Sequence, residues 1–453
     1  MLFADLEQPD VALLGAGREG RSVWRQIRRR FSRKPLTIYT ETPLGSEFTG
    51  DFQTDADQIR EGPFDGAALG RHDFLVRSPG VSPYRSALLQ ASEAGARFTT
   101  ATSLWFGENP AARTICITGT KGKSTTSALC AHLMREAGCR VQLAGNIGRP
   151  LLDCGGEDAG WWVIELSSYQ LADLEARPTI AAILNLSDAH LEWHGGRQAY
   201  HSDKLRIAEL SRDRPLVANY SDATLRELLR TRAGVKWFGR VGGFHVHDGA
   251  LWGPDGRLDI EPSEVLPGEH NLLNIGAALT ILELAGIDRP DLQAALGSFE
   301  GLPHRLQYLG SRGEVTFIND SMATTPVATL AALQALEGRV VTLIIGGTES
   351  TIKWSAALEK MRAYLPHAII ALPDSGPALV KVINASGLAP PAGTREAENL
   401  AEAVQIAREI TPAGGTVLLS PGAPSFPQFR DFADRGGRFA ELAGFRADEF
   451  GGG

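Results

Sequence analysis

Excess positive charge, cysteine, methionine and long apolar runs are all scarce or missing in this chain of 453 residues. Its 45 Lys and Arg against 53 Asp and Glu give a net charge of -8, which argues against a nucleic-acid groove but leaves room for a local basic pocket for an acidic small molecule. No run of about 18 apolar residues occurs, so no membrane-spanning helix is expected. Met1 to Asp10 carries acidic residues in place of a basic stretch followed by an apolar core, and a cytoplasmic location is expected. Four cysteines, Cys116, Cys130, Cys139 and Cys154, include no C-x-x-C pair and read as reduced thiols. A zinc site on Cys130, His132 and Cys139 fits no common ligand spacing. The length exceeds what one hydrophobic core serves and suggests about three domains.

Glycine, by contrast, is plentiful, and its placement carries information. Thr118-Gly119-Thr120-Lys121-Gly122-Lys123-Ser124-Thr125-Thr126 joins an apolar strand, Thr114 to Ile117, to a helix-forming run from Ser124. Such a loop points several backbone N–H groups at one anion, and the helix N-terminus adds positive charge. Lys123 then reaches terminal phosphates, and Ser124 or Thr125 can ligate Mg²⁺. A full Walker A pattern would have glycine at Ile117, but Leu129, Leu133 and Ala137 at helical spacing, Gly138 as the stop and a strand from Arg140 to Ala144 complete a βαβ unit. That chemistry belongs to ATP or GTP.

The pattern of elements predicts an α/β protein with three domains: a Rossmann-like domain over 1–108, a central P-loop ATPase domain with a mostly parallel sheet over 109–308, and a second Rossmann-like domain over 309–453. Val11 to Leu14 runs into Gly15-Ala16-Gly17-Arg18-Glu19-Gly20 and a helix through Arg30, half of a dinucleotide unit that is weak evidence for NAD. Arg28, Arg29, Arg30, Arg33 and Lys34 read as a solvated helix end. Phe74 to Arg77 ends in the proline-bracketed turn Ser78 to Pro83. In the second segment Trp161 to Glu165 ends in a carboxylate suited to Mg²⁺, and Ile180 to Leu184 leads to His190. Parallel strand ends converge on one crevice, so Glu165 and His190 could share a site with Lys123; an edge charge for Glu165 and a satisfied turn histidine for His190 are the lesser alternatives. In the third segment Asn319-Asp320-Ser321, Gly346-Gly347-Thr348 and Ser420-Pro421-Gly422 follow strands as candidate ligand loops.

With these residues placed, the chain resembles the ATP-dependent Mur ligases of peptidoglycan synthesis, and within them the MurD type, which adds glutamate to UDP-N-acetylmuramoyl-L-alanine. The stretches that carry the resemblance include Gly119 to Thr125, Gly145 to Gly148, Glu165 to Leu171, His190 to Gly195, Tyr200 with Lys204, Gly268 to Asn274, Gly301 to Arg305 and Asn319 to Ser321. It implies that the first domain binds the UDP end through Gly17, Arg18 and Ser78, with Asn146 and Ser167 toward the reacting end. Gly119, Thr120, Lys121, Gly122, Lys123, Ser124, Thr125, Asn271, Asn274 and Arg305 would hold ATP, and Asp320 its ribose. Glu165 with Ser124 or Thr125 would hold one Mg²⁺. Lys204, a surface lysine on sequence alone, would be carbamylated and hold a second beside His190. Lys123, Glu165, His190 and Lys204 are the implied catalytic set, with His190 the nearest base for the incoming ammonium. The partners implied are small molecules only, with no nucleic acid or membrane, and the protein is expected to be a monomer.

The pattern breaks at Met322 and Ser350, where MurD enzymes usually carry lysines that handle D-glutamate carboxylates. Losing two charge-assisted bonds of roughly 1.5–3 kcal/mol each implies a rebuilt pocket. Thr324, Ser425 and Phe432 still match a glutamate pocket, and Lys353 can supply charge from another direction. The rebuilt pocket favours L-glutamate, as in some MurD relatives; ordinary D-glutamate addition and a superfamily ligase acting on folate are the alternatives. A nucleotide-gated binding protein and an NAD-dependent dehydrogenase are the readings outside the family. Lys121 and Ala189, where asparagine and aspartate are common, are further departures, with Asp188 or Glu192 as candidate substitutes for the missing carboxylate.

Overall fold

Element bounds follow the apolar runs of the sequence closely. The structure is a computed structural model and describes residues 1–41, 56–155, 159–260, 265–266, 268–347, 354–425 and 428–446. The first sheet contains β1 (Val11–Leu14), β2 (Leu36–Thr40), β3 (Asp57–Glu61), β4 (Phe74–Arg77) and β5 (Arg97–Thr99), all parallel, in the order β3-β2-β1-β4-β5. Every residue of β1 is buried, as a central parallel strand covered on both faces requires. The glycine turn then enters the helix Arg18–Arg30. A Cβ at Gly20 would lie 2.1 Å from the Gly15 carbonyl oxygen, so only glycine permits this close approach.

The second sheet is also parallel: β6 (Thr114–Thr118), β7 (Val141–Gly145), β8 (Trp161–Glu165), β9 (Ile180–Ile183), β10 (Leu216–Asn219) and β11 (Val235–Phe238), ordered β11-β10-β9-β6-β8-β7. β6 is thus flanked by β8 and β9, which sets the loops after all three side by side. Helices Lys123–Glu136 and Glu269–Ala285 pack together over this sheet, and Arg197–Leu210 packs on β6 and β9. A small antiparallel sheet of β12 (His245–His247), β13 (Ala250–Gly253) and β14 (Gly256–Arg257) follows, which the sequence did not announce.

The third sheet has β15 (Gln307–Arg312), β16 (Val315–Asn319), β17 (Val341–Ile345), β18 (Ala368–Ala371), β19 (Thr394–Glu396) and β20 (Thr416–Leu419). Its order is β15-β16-β20-β17-β18-β19, with β15 antiparallel and the rest parallel. The adjacent strands β16, β20 and β17 carry the three loops singled out in the sequence.

The chain divides into two compact units, Met1–Ile260 with Glu269–Leu296, and the remainder, chiefly from Gly297 onward. The first two sheets share the first unit and one apolar cluster, which runs from Leu13 and Ile38 through Trp105 to Trp162 and Ile183. Trp105, on the helix Ala101–Glu108, meets Trp162 edge-on with centroids 4.8 Å apart. That burial is why the expected boundary near 108 leaves no gap in packing. The basic run is less solvated than expected: Arg28 pairs with Asp57, Arg30 lies over the Phe3 ring at 4.4 Å, and Lys34 donates to the Pro9 carbonyl. All four cysteines are free, and His132 bonds the Ala295 carbonyl at 2.7 Å instead of joining a zinc set.

Candidate active site

The phosphate loop is held open by its neighbours. Gly122 has φ 77°, and a Cβ there would lie 2.7 Å from Asn274 Oδ1, so glycine is required on both counts. Asn274 accepts from Thr126 Oγ1 at 3.2 Å and donates to Asn271 Oδ1 at 3.0 Å, which ties the helix Glu269–Ala285 to the loop's own helix. Asn185, beyond β9, accepts from the Lys121 N–H at 2.8 Å and donates to its carbonyl at 2.9 Å. Thr120 Oγ1 meets Tyr200 OH at 2.8 Å, and Lys123 Nζ rests on the Thr120 carbonyl at 3.2 Å. Ser124 and Thr125 follow Lys123 in the first turn of the helix, whose N-terminal positive charge favours an anion.

Glu165 ends the neighbouring strand and is 0% exposed. One carboxylate oxygen accepts from Asn146 Nδ2 at 2.7 Å, and the other has no hydrogen-bond partner among the described residues. A bare, buried carboxylate oxygen next to a lysine-bearing loop suits a divalent cation. Lys204 is 2% exposed, in place of the surface position its sequence context suggested. Its Nζ donates to the Gly119 carbonyl at 2.7 Å and to Thr118 Oγ1 at 3.0 Å. Burial, then the charge of Lys123, holds this amine well below the usual lysine range, with Glu165 acting against them. His190 has φ 52°, a strained left-handed conformation for a side-chain-bearing residue, and sits edge-on to Tyr169 at 5.1 Å. Burial, aided by His194, Lys123 and Lys204, lowers its pKa, so the imidazole is neutral at pH 7. Among the described residues no three His, Cys, Asp or Glu side chains gather as a metal cluster; the expected set relies on hydroxyls and a lysine as well.

Sequence reasoning missed a network beside this site. His194 Nδ1 meets Asp203 Oδ2 at 2.5 Å, its Nε2 meets Ser168 Oγ at 3.0 Å, and Tyr84 OH donates to Asp203 Oδ1 at 2.6 Å. Trp193 stacks on Tyr169 at 4.2 Å, and its carbonyl accepts from Ser82. Asp203 therefore supplies a carboxylate near the histidine segment. Asp188, one proposed substitute for the missing aspartate, is paired with Arg197 instead. Ser167 forms a capping box with Gln170 for the one-turn helix Ser168–Leu171, so its hydroxyl has a structural partner.

In the first sheet Ser78 Oγ donates to the Gly15 carbonyl at 3.0 Å, and Arg18, next to the exposed Gly17, reaches the Gly148 carbonyl at 3.2 Å. Arg77 is buried, grips Asp173 with two bonds of 2.7 and 2.5 Å, and donates to the Ser78 and Val81 carbonyls. Glu19 lies in the first turn of the helix Arg18–Arg30. One of its oxygens accepts from Gln170 Nε2 and the other has no hydrogen-bond partner among the described residues, and burial pushes its carboxyl up to about 7.

The second unit holds the remaining expected residues. Asp320 turns inward, accepting from Ser420 Oγ at 2.7 Å and the Leu306 N–H at 3.1 Å, and burial raises it to about 6. The charge of Arg305 acts against that rise. Thr324 and Phe432 are half-buried, Ser425 is buried, and the Phe432 carbonyl accepts from Ser321 Oγ at 2.8 Å. Thr348, Glu349, Ser350, Thr351 and Lys353 lie outside the described residues.

Residues 117–282 match the Mur ligase middle domain. The chain is 40% identical over 98% of its length to a UDP-N-acetylmuramoyl-L-alanine–L-glutamate ligase of Xanthomonas euvesicatoria, covering 97% of that protein. A ligase of the same description from Micromonospora is 37% identical over 97% of this chain and 98% of its own. Among solved structures, MurF from Acinetobacter baumannii superposes with a TM-score of 0.60 at 17% identity over 95% of this chain and 93% of its own. MurF from Thermotoga maritima in complex with ADP gives 0.57 at 16% identity over 98% and 96%. Both likenesses support the three-domain α/β fold.

Proposed function

This chain belongs to the Mur ligase family, and on that premise we propose that it joins L-glutamate to UDP-N-acetylmuramoyl-L-alanine at the expense of ATP. The observation that carries this reading is the convergence, on the carboxyl edge of β6, β8 and β9, of the phosphate loop, the bare oxygen of Glu165 and the buried amine of Lys204. A carboxylate is a poor electrophile, so its activation needs a phosphoryl donor held in place and its growing charge neutralised. Lys123 and the loop N–H groups would do that for the ATP phosphates, with Asn271 and Asn274 on the helix beside the loop. The alanyl carboxylate oxygen attacks the γ-phosphorus, ADP leaves, and the amine of glutamate then displaces phosphate from the acyl carbon.

Mg²⁺, when bound, would neutralise charge on the transferring phosphoryl group. Glu165 with Ser124 or Thr125 would hold one ion, and His190 with a carbamate on Lys204 a second. Carbamate formation requires the neutral amine, which the depressed pKa of Lys204 favours. Neutral His190 would take a proton from the glutamate ammonium. We assign 1–108 to the UDP end of the substrate, 109–308 to ATP and 309–453 to the amino acid.

L-Glutamate is favoured by the described activity of relatives matching end to end and by Met322 and Ser350 at positions that in D-glutamate enzymes carry lysine. Phosphate release with UDP-N-acetylmuramoyl-L-alanine and ATP, run in parallel with L- and D-glutamate, tests it. Release with the L isomer is expected, and release only with the D isomer overturns the stereochemical assignment.

A further inference from the structure

The second unit contains a buried cation that no carboxylate among the described residues balances. Arg435, on the helix Phe432–Leu442, is 0% exposed. Its Nε donates to Ser321 Oγ at 3.0 Å, Nη2 to the Ser321 carbonyl at 2.8 Å and Nη1 to the Ala423 carbonyl at 3.1 Å. A Cβ placed on Gly347 would lie 3.1 Å from Nη1, so the guanidinium also rests against that glycine. Ser321, Gly347 and Ala423 belong to the loops after β16, β17 and β20, which are neighbours in the sheet. All the partners are neutral oxygens. Burial pulls the guanidinium down to about 10, which leaves it charged at neutral pH. Among the described residues no carboxylate pairs with it: Asp434 is engaged by Arg430, and Asp431 caps the helix.

Taking a cation out of water and giving it only neutral partners is costly unless an anion balances it. Thr324 and Ser425 lie on two of the same loops, and Phe432 begins the arginine's own helix. We propose that Arg435 is a positioning and specificity residue for the amino acid: it holds Ser321, Gly347 and Ala423, near the starts of the three loops, together and gives that end of the sheet the positive potential that selects a dicarboxylate. This rests on the glutamate-ligase reading and deepens it. It also explains how a pocket with methionine at 322 still favours an acidic substrate, since the charge sits behind the loops.

The test compares kcat/KM for glutamate with that for glutamine and for isoglutamine, which each lack one carboxylate. Wild-type phosphate release that requires glutamate comes first; its absence overturns the ligase reading and this inference together. Arg435→Gln keeps donors toward Ser321 and Ala423 but removes the charge, and should lower at least one discrimination ratio by about tenfold or more. Arg435→Lys should lower the rate for all three amino acids while keeping the ratios within about threefold of wild type. Ala423→Asp, which leaves the arginine in place and sets a carboxylate beside it, should reproduce the loss of discrimination even if Arg435→Gln does not fold. Ratios unchanged in the soluble neutralised variants, with rates falling equally for all three amino acids, would overturn the proposal and leave Arg435 a purely structural residue.

Discussion

Lys123, Glu165 and the Lys204 amine meet at one sheet edge, and the proposed chemistry would use each through different physics. In that proposal Lys123 would contribute charge, and Lys123→Ala should lower kcat on the order of 100- to 1,000-fold with the fold intact, as removal of a preorganised electrostatic group does; steady-state kinetics with circular dichroism checks both parts. Lys204→Ala should also slow turnover sharply, with partial recovery when small carboxylic acids are added to stand in for the lost oxygens. Normal activity without them would count against the carbamate. Glu19 allows a stability prediction with a definite sign. Its carboxyl titrates at about 7 in the folded chain against 4.5 for the ordinary group, chiefly through burial. The unfolded chain therefore ionises first, so the stability present below about pH 4.5 falls as pH rises and is lost by about pH 7. Glu19→Gln should be neutral at pH 4 and stabilising by up to about 3 kcal/mol at pH 8, measured by urea unfolding at both pH values. The sequence marked Lys123 and Glu165 because a strand end and a glycine loop are local signals. It could not mark Arg435, Asp203 or the burial of Lys204, whose partners lie far away along the chain.

Among the elements, those built from continuous apolar runs were legible. β1, β4, β8 and β20 appear with the bounds their residues suggest, because a central parallel strand is apolar on both faces. β3 and β5 were missed because edge strands need little burial: Asp57-Gln58-Ile59-Arg60-Glu61 is mostly exposed. β15 was missed because it pairs antiparallel with a bulge near Gly310. The one-turn helix Leu191–His194 depends on tertiary contacts alone, since four residues cannot sustain a helix in isolation. Asp203 holds that turn through His194 and the loop after β4 through Tyr84. Asp203→Ala leaves a buried imidazole N–H and a phenol without their acceptor, and should destabilise the first unit by about 1–3 kcal/mol. Asp203→Asn keeps an acceptor and should cost less; thermal unfolding of the two variants side by side decides it.

Across the whole molecule, two sheets share one core in the first unit while the third sheet forms the second. The sequence announced three α/β layers but not that the first two would merge, because the merger depends on Trp105 meeting Trp162 across an intervening loop. The proposed UDP end and the phosphate loop fall in one unit, which would give the carboxylate and its phosphoryl donor a common scaffold, and the loops after β16, β17 and β20, proposed for the amino acid, fall in the other. The chemistry assigned to that division is carboxylate activation as an acyl phosphate. Supplying UDP-N-acetylmuramoyl-L-alanine labelled with ¹⁸O in its alanyl carboxylate, together with ATP and L-glutamate, and weighing the released phosphate by mass spectrometry, reads the step itself. One ¹⁸O per phosphate is expected, carried over when the carboxylate oxygen leaves with phosphorus. Phosphate without the label would mean that the carboxylate never attacked ATP, and the assigned chemistry would be wrong.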